Sequence, residues 1–287
     1  MEDSNPSLGL SFFGSRLFYA VNDSDNPRRV NRIGSYDFNV DISEALLGDN
    51  EQQFRGISKT VDELKQQYSV QRLRIHSFPS QECWTTVPKI VYDDSDEREN
   101  HINILMNGVD RKHIHPTWYN LSNQGHKFLL LRNRESTAGL QQLAAKASTS
   151  DMISDFEIGM RWIQHANPGG SFMTICCFGN CISVCSFILG KLRGATYLPF
   201  DDIEDLPYLW LQHAQELQWM QGLHDNIYLY GARAYRVIEI LQPFWDEAGT
   251  IIKMDSLDDM MIEAEETTYG FNLEQAFPAV LLALDLN

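Results

Sequence analysis

The stretch SFMTICCFGNCISVCSFIL, Ser171 to Leu189, decides the fold. It is the most apolar part of the 287-residue chain and holds four of its five cysteines, with no charged residue from Ala166 to Gly190. Two readings fit that composition. About 20 apolar residues suffice to cross a bilayer, so 171–189 could be a membrane span. Alternatively, Gly179-Asn180 divides the stretch into two runs of strand length, and Gly followed by Asn suits a two-residue hairpin turn because Gly accepts positive φ. Thr174, Ile175, Ile182, Val184 and Ile188 are β-branched and favour strands. Asn167, Pro168, Gly169 and Gly170 supply a loop ahead of them. The turn chemistry favours a hairpin buried at the centre of a domain. A two-residue turn pairs Phe178 with Cys181 and Cys176 with Ser183, which puts Cys176, Cys181 and Cys185 on one face and Cys177 on the other.

Upstream, LGLSFFGSRLFYAV (8–21) reads as a second hairpin about Gly14-Ser15. A polar loop with Asn26 and Pro27 follows at 22–29. Tyr36, Phe38, Val40 and Ile42 then alternate as in a strand with one wet face. After a polar connection at 48–53, a helix is expected from Ser58 to Tyr68, with Ile57, Val61 and Leu64 inward and Thr60 and Glu63 as a capping box. A strand through Leu73 and Ile75 has Arg72, Arg74 and His76 on its other face. The run Val87 to Tyr92 is apolar, Asp93 to Glu99 reads as a solvated charged loop, and a short helix fits 99–107. Trp118 to Leu121 and Lys127 to Arg132 read as paired strands, and 139–148 as a helix. Residues 152–165 read as a short strand to Phe156 and then a helix.

Downstream, 205–221 is an amphipathic helix with Asp205 as its cap and Pro207 in its first turn. Asn226 to Tyr230 is a strand, Gly231-Ala232 opens a helix that Pro243 ends, and Gly249 to Lys253 is a strand. Ser256 to Tyr269 is acidic and weakly patterned. A last helix runs from Leu273 to Leu286 behind Asn272.

The formal net charge is −16. It is uneven: residues 200–287 hold three Lys/Arg against 17 Asp/Glu, a charge of −14. Such a half repels phosphate backbones, which disfavours nucleic acid, and suits either solvent or a basic protein partner. The acidic, polar start MEDSNPS lacks the basic and apolar regions of a secretory signal, so a cytoplasmic protein is expected. Five cysteines, clustered in a strand pattern, do not form a secreted disulfide framework. Split between two faces and without a C-x-x-C pair, they pack better as small hydrophobes than as metal ligands or redox groups. His113 and His115, with His101 nearby, lack a partner at zinc-ligand spacing. No G-x-S-x-G, H-E-x-x-H or Walker A motif occurs. Leu209, Leu211 and Trp219 lie off the main stripe of their helix and could mark a second packing surface or a partner site.

Each half of the chain therefore opens with a tight hairpin. Hairpin, mixed α/β lobe, hairpin, then helix, strand, Gly turn, helix, strand and closing helix resembles the actin/Hsp70-like ATPase fold over most of the chain. LGLSFFGSRLFYAV looks like its first phosphate hairpin, SFMTICCFGNCISVCSF like its second, and IYLYGARA like its adenosine-loop strand and turn. DFEIGMRWIQHA is similar to the same place in type IV pilus PilM proteins. TTVPKIVYD and GKLRGATYLPFDDIEDLPYLW resemble an uncharacterised Bacteroidota family of the same fold. The resemblance implies a mixed α/β, two-lobed actin-like ATPase (ribonuclease H-like) fold, with lobes at 1–168 and 169–287. It also implies a nucleotide cleft for ATP or ADP with Mg²⁺ at Ser11, Gly14, Ser15, Gly179, Asn180, Gly231 and Ala232.

The departures from that family are chemical. Ser11 stands where the family has an Asp that organises Mg²⁺ waters, and Phe13 where it has a Gly. Cys176, Cys177 and Phe178 precede the second turn without an acid, and Gly231 is followed by Ala232 where the family pairs glycines. Ser and Cys do not supply the anionic oxygen shell that Mg²⁺ needs, so the fold is expected in degenerate form, without ATP hydrolysis or a catalytic residue. Three functions follow: a non-catalytic protein-interaction or scaffold module with no cofactor, an ATP/ADP-binding regulator that uses lobe closure, or a membrane-anchored protein spanning at 171–189.

Overall fold

The structure is a computed structural model that describes residues 6–23, 25, 26, 29–47, 51–222, 224–245, 249–267 and 272–286. The acidic start and parts of the loops at 22–29 and 48–53 lie outside the described residues. The chain opens with β1 (Ser7–Phe13) and β2 (Arg16–Asn22), an antiparallel hairpin in which Phe13 faces Arg16 across Gly14-Ser15. Then come β3 (Val30–Asp37), α1 (Ile42–Leu47), α2 (Glu51–Gln67) and β4 (Arg72–His76). A subdomain follows of β5 (Glu82–Pro88), α3 (Lys89–Asp93), α4 (Ser95–Leu105), β6 (Ile114–Asn120) and β7 (His126–Asn133). Next are α5 (Ala138–Ala144), β8 (Thr149–Ile153) and α6 (Asp155–Ala166).

The central stretch is a hairpin, β9 (Ser171–Cys177) and β10 (Cys181–Ile188), with Cys176 opposite Ser183 as the turn chemistry requires. Then come β11 (Lys191–Pro199), α7 (Leu206–Glu216), β12 (Asn226–Gly231), α8 (Ala234–Leu241), β13 (Thr250–Lys253), β14 (Ala264–Thr267) and α9 (Leu273–Ala283). Because β9 and β10 lie inside a five-stranded sheet of order β11-β10-β9-β12-β13, the membrane-span reading of 171–189 is corrected. No helix among the described residues is long and apolar enough to cross a membrane. Cys176 and Cys185 pack into one core and Cys177 into the core on the sheet's other side, as strand alternation dictates.

Two further sheets complete the molecule, β14-β3-β2-β1-β4-β8 and β5-β7-β6. The chain leaves the six-stranded sheet through α6, builds the five-stranded one, and returns with β14 beside β3. α9 then packs on β1 and β2 and also touches β12 and α6, so one helix is shared by both halves. Its backbone lies directly on β1. A Cβ on Gly9 would sit 2.0 Å from the Ala279 carbonyl oxygen and 2.6 Å from the Ala283 nitrogen. Its last turn is held by two guanidinium groups. Arg74 Nη1 donates to the carbonyls of Leu282 (2.9 Å) and Leu284 (3.1 Å), and Arg161 to those of Leu281 (3.0 Å) and Leu284 (2.6 Å). Cations there complement the negative end of the helix dipole. Desolvation lowers the pKa of both, Arg161 to about 10. Asp285 pairs with Arg72 and Arg74 at 2.8 and 3.3 Å and offsets the crowding of charge.

Several local expectations are corrected. α2 starts at Glu51, and Thr60 spends its hydroxyl on the Gly56 carbonyl inside the helix, so it is no cap. β3 ends at Asp37. The Asp41 carboxylate accepts from the backbone N–H of Ser43 and Glu44, which turns Ile42 into the first residue of a helix and not a strand position. The charged run 93–99 is no loop: Asp93 ends α3, Asp94 caps α4 by accepting from Asp96 and Glu97 N–H, and acids suit a helix N-terminus. His113 lies in a short 3₁₀ turn ahead of β6. Asp205 makes no side-chain cap bond; Asp202 instead caps the preceding 3₁₀ turn, and α7 stops at Glu216. Trp219, partly buried, packs against the core over Gly194, in keeping with the second-packing-surface reading; the strand it covers, β11, is one the sequence reading lacked. β14 falls in the acidic, weakly patterned segment.

Gly9→Ala is expected to lower the unfolding free energy by roughly 3 kcal/mol, since neither backbone atom it meets can yield cheaply. Gly56→Ala, in open space on α2, should raise it by about 0.5–1 kcal/mol. Urea unfolding of both variants checks the pair. An unperturbed Gly9→Ala protein would mean that α9 is not seated on β1.

Candidate functional site

Three turns converge on one cleft between the two large sheets. At the first, Gly14 takes φ +58°, and the carbonyls of Gly14 and Ser15 accept from Ile42 and Phe38 N–H at 2.9 and 2.8 Å, so the turn is tied to the start of α1. At the second, Phe178 N–H donates to the Cys181 carbonyl at 2.8 Å, Gly179 takes φ +98°, and the Asn180 carbonyl accepts from Phe200. At the third, Gly231 pairs with Cys177 at φ +91°; a Cβ there would lie 2.4 Å from the Cys177 carbonyl oxygen, which also accepts from Ala232 N–H. Only glycine fits that combination of φ and contact.

Gly14, Gly179, Asn180 and Ala232 line a cleft of about 660 Å³, together with Arg233 at the head of α8. The other three expected positions sit elsewhere. Ser11 is fully buried and its hydroxyl donates to the Gln275 carbonyl of α9 at 3.1 Å. Ser15 is exposed on the turn, and Gly231 lies beneath the cleft as backbone.

The floor of the cleft is aromatic. The rings of Phe13 and Phe178 stack at 5.7 Å and 28°, one from each hairpin, and Phe12 stacks on Phe78 at 6.0 Å. Its mouth carries Asp41 and Glu44 from the α1 side against Arg233 from the α8 side. The expected first-hairpin and second-hairpin positions offer a magnesium–phosphate group little. The Ser11 hydroxyl is committed to α9 and Cys176 is buried, while the cleft itself offers phenyl rings, the Gly14 and Gly179 turns, the Asp41 and Glu44 carboxylates and Arg233.

Behind the stack lies a group that sequence reasoning missed. Asp155, fully buried at the first turn of α6, takes a hydrogen bond from His76 Nε2 at 3.0 Å, from the Tyr230 hydroxyl at 2.9 Å and from the Ser183 hydroxyl. With Asp155 ionised, Nε2 of His76 carries the proton. His76 belongs to β4 in one sheet, while Ser183 and Tyr230 belong to β10 and β12 in the other. One carboxylate therefore bonds both halves. The His76 ring also lies 5.3 Å from that of Phe178, which ties the network to the stack. The signal for Asp155 was present in Ser154 and Glu157, a capping box that starts the helix at 155 and not after Phe156.

A second buried network braces the small sheet on α6. Glu82 accepts from Ser77 (2.6 Å), Arg132 (2.8 Å), Ser154 (2.7 Å) and Trp84 Nε1 (2.8 Å). Every thiol on the hairpin is held protonated: burial, then neighbouring charge, pushes Cys181 up to about 12 and Cys176, Cys177 and Cys185 upward as well. Such thiols are poor nucleophiles and poor ligands. His113 pairs with Glu135 at 3.0 Å and His115 accepts from Arg134. No group of three or more His, Cys, Asp and Glu among the described residues is arranged to hold a metal ion.

No protein-family model and no curated protein sequence matches the chain. Solved structures do. The type IV pilus biogenesis complex PilM–PilN contains a chain that superposes with a TM-score of 0.66 at 12% identity, over 97% of both chains. A Bacteroides thetaiotaomicron protein of actin-like ATPase fold and unknown function gives 0.54 at 14% identity, over 88% of this chain and 92% of that one. The cytoplasmic domain of EpsL, an inner-membrane component of the Vibrio cholerae type II secretion system, gives 0.50 at 11% identity, over 97% and 95%. At these identities the likeness is one of fold.

Asp155→Ala is expected to destabilise the protein by about 3–5 kcal/mol, because it leaves His76, Ser183 and Tyr230 buried without their common acceptor. Chemical denaturation measures the loss. A cost below about 1 kcal/mol would rule out Asp155 as the bond between the halves.

Proposed function

We propose, from the actin-like ATPase fold that this chain carries, that it works without catalysis as a protein-interaction or scaffold module in the cytoplasm. The Phe13–Phe178 stack on the cleft floor carries the proposal. Phosphoryl transfer depends on metal-held charge neutralisation and a positioned water, and phenyl rings on the cleft floor supply neither. The acids that organise Mg²⁺ in the family are replaced by Ser11 and by the acid-free run Cys176-Cys177-Phe178. The fold neighbour PilM was solved in a complex with PilN, which supports a role exercised through a protein partner.

A second reading keeps ATP or ADP as a regulatory ligand that sets lobe closure. The volume of the cleft and Arg233 at the N-terminus of α8 favour it, as do Gly14 and Gly179, where an added Cβ would have no atom within 4 Å. The Asp155 cross-link and the two carboxylates at the mouth weigh against it, the first by resisting closure movements and the second by repelling phosphate.

A thermal melt with and without Mg²⁺-ATP and Mg²⁺-ADP separates the two. Ligand at about 100 times its Kd adds roughly 2.7 kcal/mol of stability, a visible rise in Tm. No rise is expected at millimolar nucleotide, and no phosphate release. A nucleotide-dependent rise would favour the regulatory reading, and Mg²⁺-dependent turnover would end the non-catalytic one.

A further inference from the structure

The molecule carries a second recess in the five-stranded half, adjoining the first cleft at Asn180. It has a volume of about 590 Å³ and lies where β11 runs into α7, with Asn180 on one side and Pro199, Phe200, Asp201, Asp205, Tyr208 and Leu209 on the others. Its walls are of two kinds. Phe200 is buried, Leu209 packs partly into the core beneath, and Tyr208 stands at the rim with 70% of its surface exposed. Asp201 and Asp205 are exposed carboxylates, and neither has a cation within 4 Å among the described residues.

The surroundings do not neutralise them. Residues 200–287 contain three basic side chains, Arg233, Arg236 and Lys253. Arg236 is engaged by Glu204 and Glu239, and Lys253 by Asp255 at 2.6 Å. Arg233 faces the other cleft. Asp202, next to the groove, is spent on the Glu204 N–H. What remains is an apolar trough with an exposed tyrosine ring and two uncompensated negative charges, set in a strongly acidic half.

We propose that this groove docks a basic segment of a partner protein, one that places an Arg or Lys beside an apolar side chain. This names the partner class of the non-catalytic interaction role and rests on that reading. A cationic side chain can lie over the Tyr208 ring while its charge reaches Asp201 or Asp205, and its apolar neighbour covers Phe200 and Leu209. The same field repels nucleic acid and anionic membrane surfaces.

The test is fluorescence anisotropy of a short labelled peptide alternating arginine and leucine, with a matched peptide bearing glutamate for arginine. The first should bind saturably and the second should not. The pair Asp201→Asn and Asp205→Asn should weaken binding about tenfold, and Tyr208→Ala about fivefold. Asp205 makes no side-chain cap bond, so these variants are expected to melt like the parent. Asp258→Asn with Glu263→Gln removes the same charge elsewhere and should change the affinity less than about twofold. Equal losses from both pairs would reduce the effect to the general field of the acidic half and overturn the proposal. So would absence of binding at about 100 µM protein. Self-association abolished by the groove pair would assign the surface to a second copy, which also overturns it. A null peptide result without ATP turnover would remove the groove and leave the non-catalytic reading. ATP turnover with groove-dependent binding would do the reverse.

Discussion

The fold depends on how α9 is seated. Its backbone rests on β1 at Gly9, the one place where the first strand has no side chain to hold a helix away. Its carbonyl end is held by Arg74 from β4 and Arg161 from α6, and Asp285 is shared with Arg72. Three arginines around one helix terminus would be costly to desolvate without partners. Here each is met by carbonyl oxygens or by a carboxylate, so the cost of burial is offset by charge-assisted hydrogen bonds. The same helix occupies Ser11 through Gln275 and packs Phe277 on Tyr230 at 4.8 Å. Ser11 thus has its hydroxyl committed to a structural contact.

A second constraint works between the halves. Asp155 ties His76 of the first sheet to Ser183 and Tyr230 of the second, directly behind the Phe13–Phe178 stack. A buried hydrogen-bonded hub and an aromatic floor at the same point favour one fixed arrangement of the two sheets. A protein that presents a surface to a partner gains from that rigidity, because less order has to be imposed on binding.

Much of this was legible in the chain. Gly14-Ser15 and Gly179-Asn180 fixed both hairpins and the register of the second, because a two-residue turn leaves little freedom in pairing. The cysteine faces followed from alternation alone. Four of the seven expected cleft positions line it, and Ser11, Ser15 and Gly231 do not, since whether a strand residue faces a cleft depends on what packs behind it. Local errors arose where short polar side chains decide the backbone: Asp41 and Asp94 each start a helix in a stretch read as strand or loop. β14 and the Asp155 hub rest on contacts between residues far apart in sequence, to which no local pattern is a guide; β11 pairs locally with β10 across Leu189-Gly190. Asp155 itself looked like any acid at a helix start, and only the convergence of β4, β10 and β12 makes it a hub.

The order in which the chain is made acquires a consequence from α9. Ser11 and its partner Gln275 are separated by 264 positions; β14 completes a sheet whose first strands lie at residues 7–22, and α9 packs on those strands. During synthesis the apolar face of the β1–β2 hairpin emerges long before the helix that covers it. It must remain unpaired, or borrow other cover, until residues beyond 273 leave the ribosome. Contacts of such long separation fold slowly and leave apolar surface open to misassembly. The second half folds in the interval from nearer neighbours, β9 with β10 and β10 with β11. The nascent chain is therefore most vulnerable in the half that is made first, and its dependence on chaperones should fall only when the last helix docks.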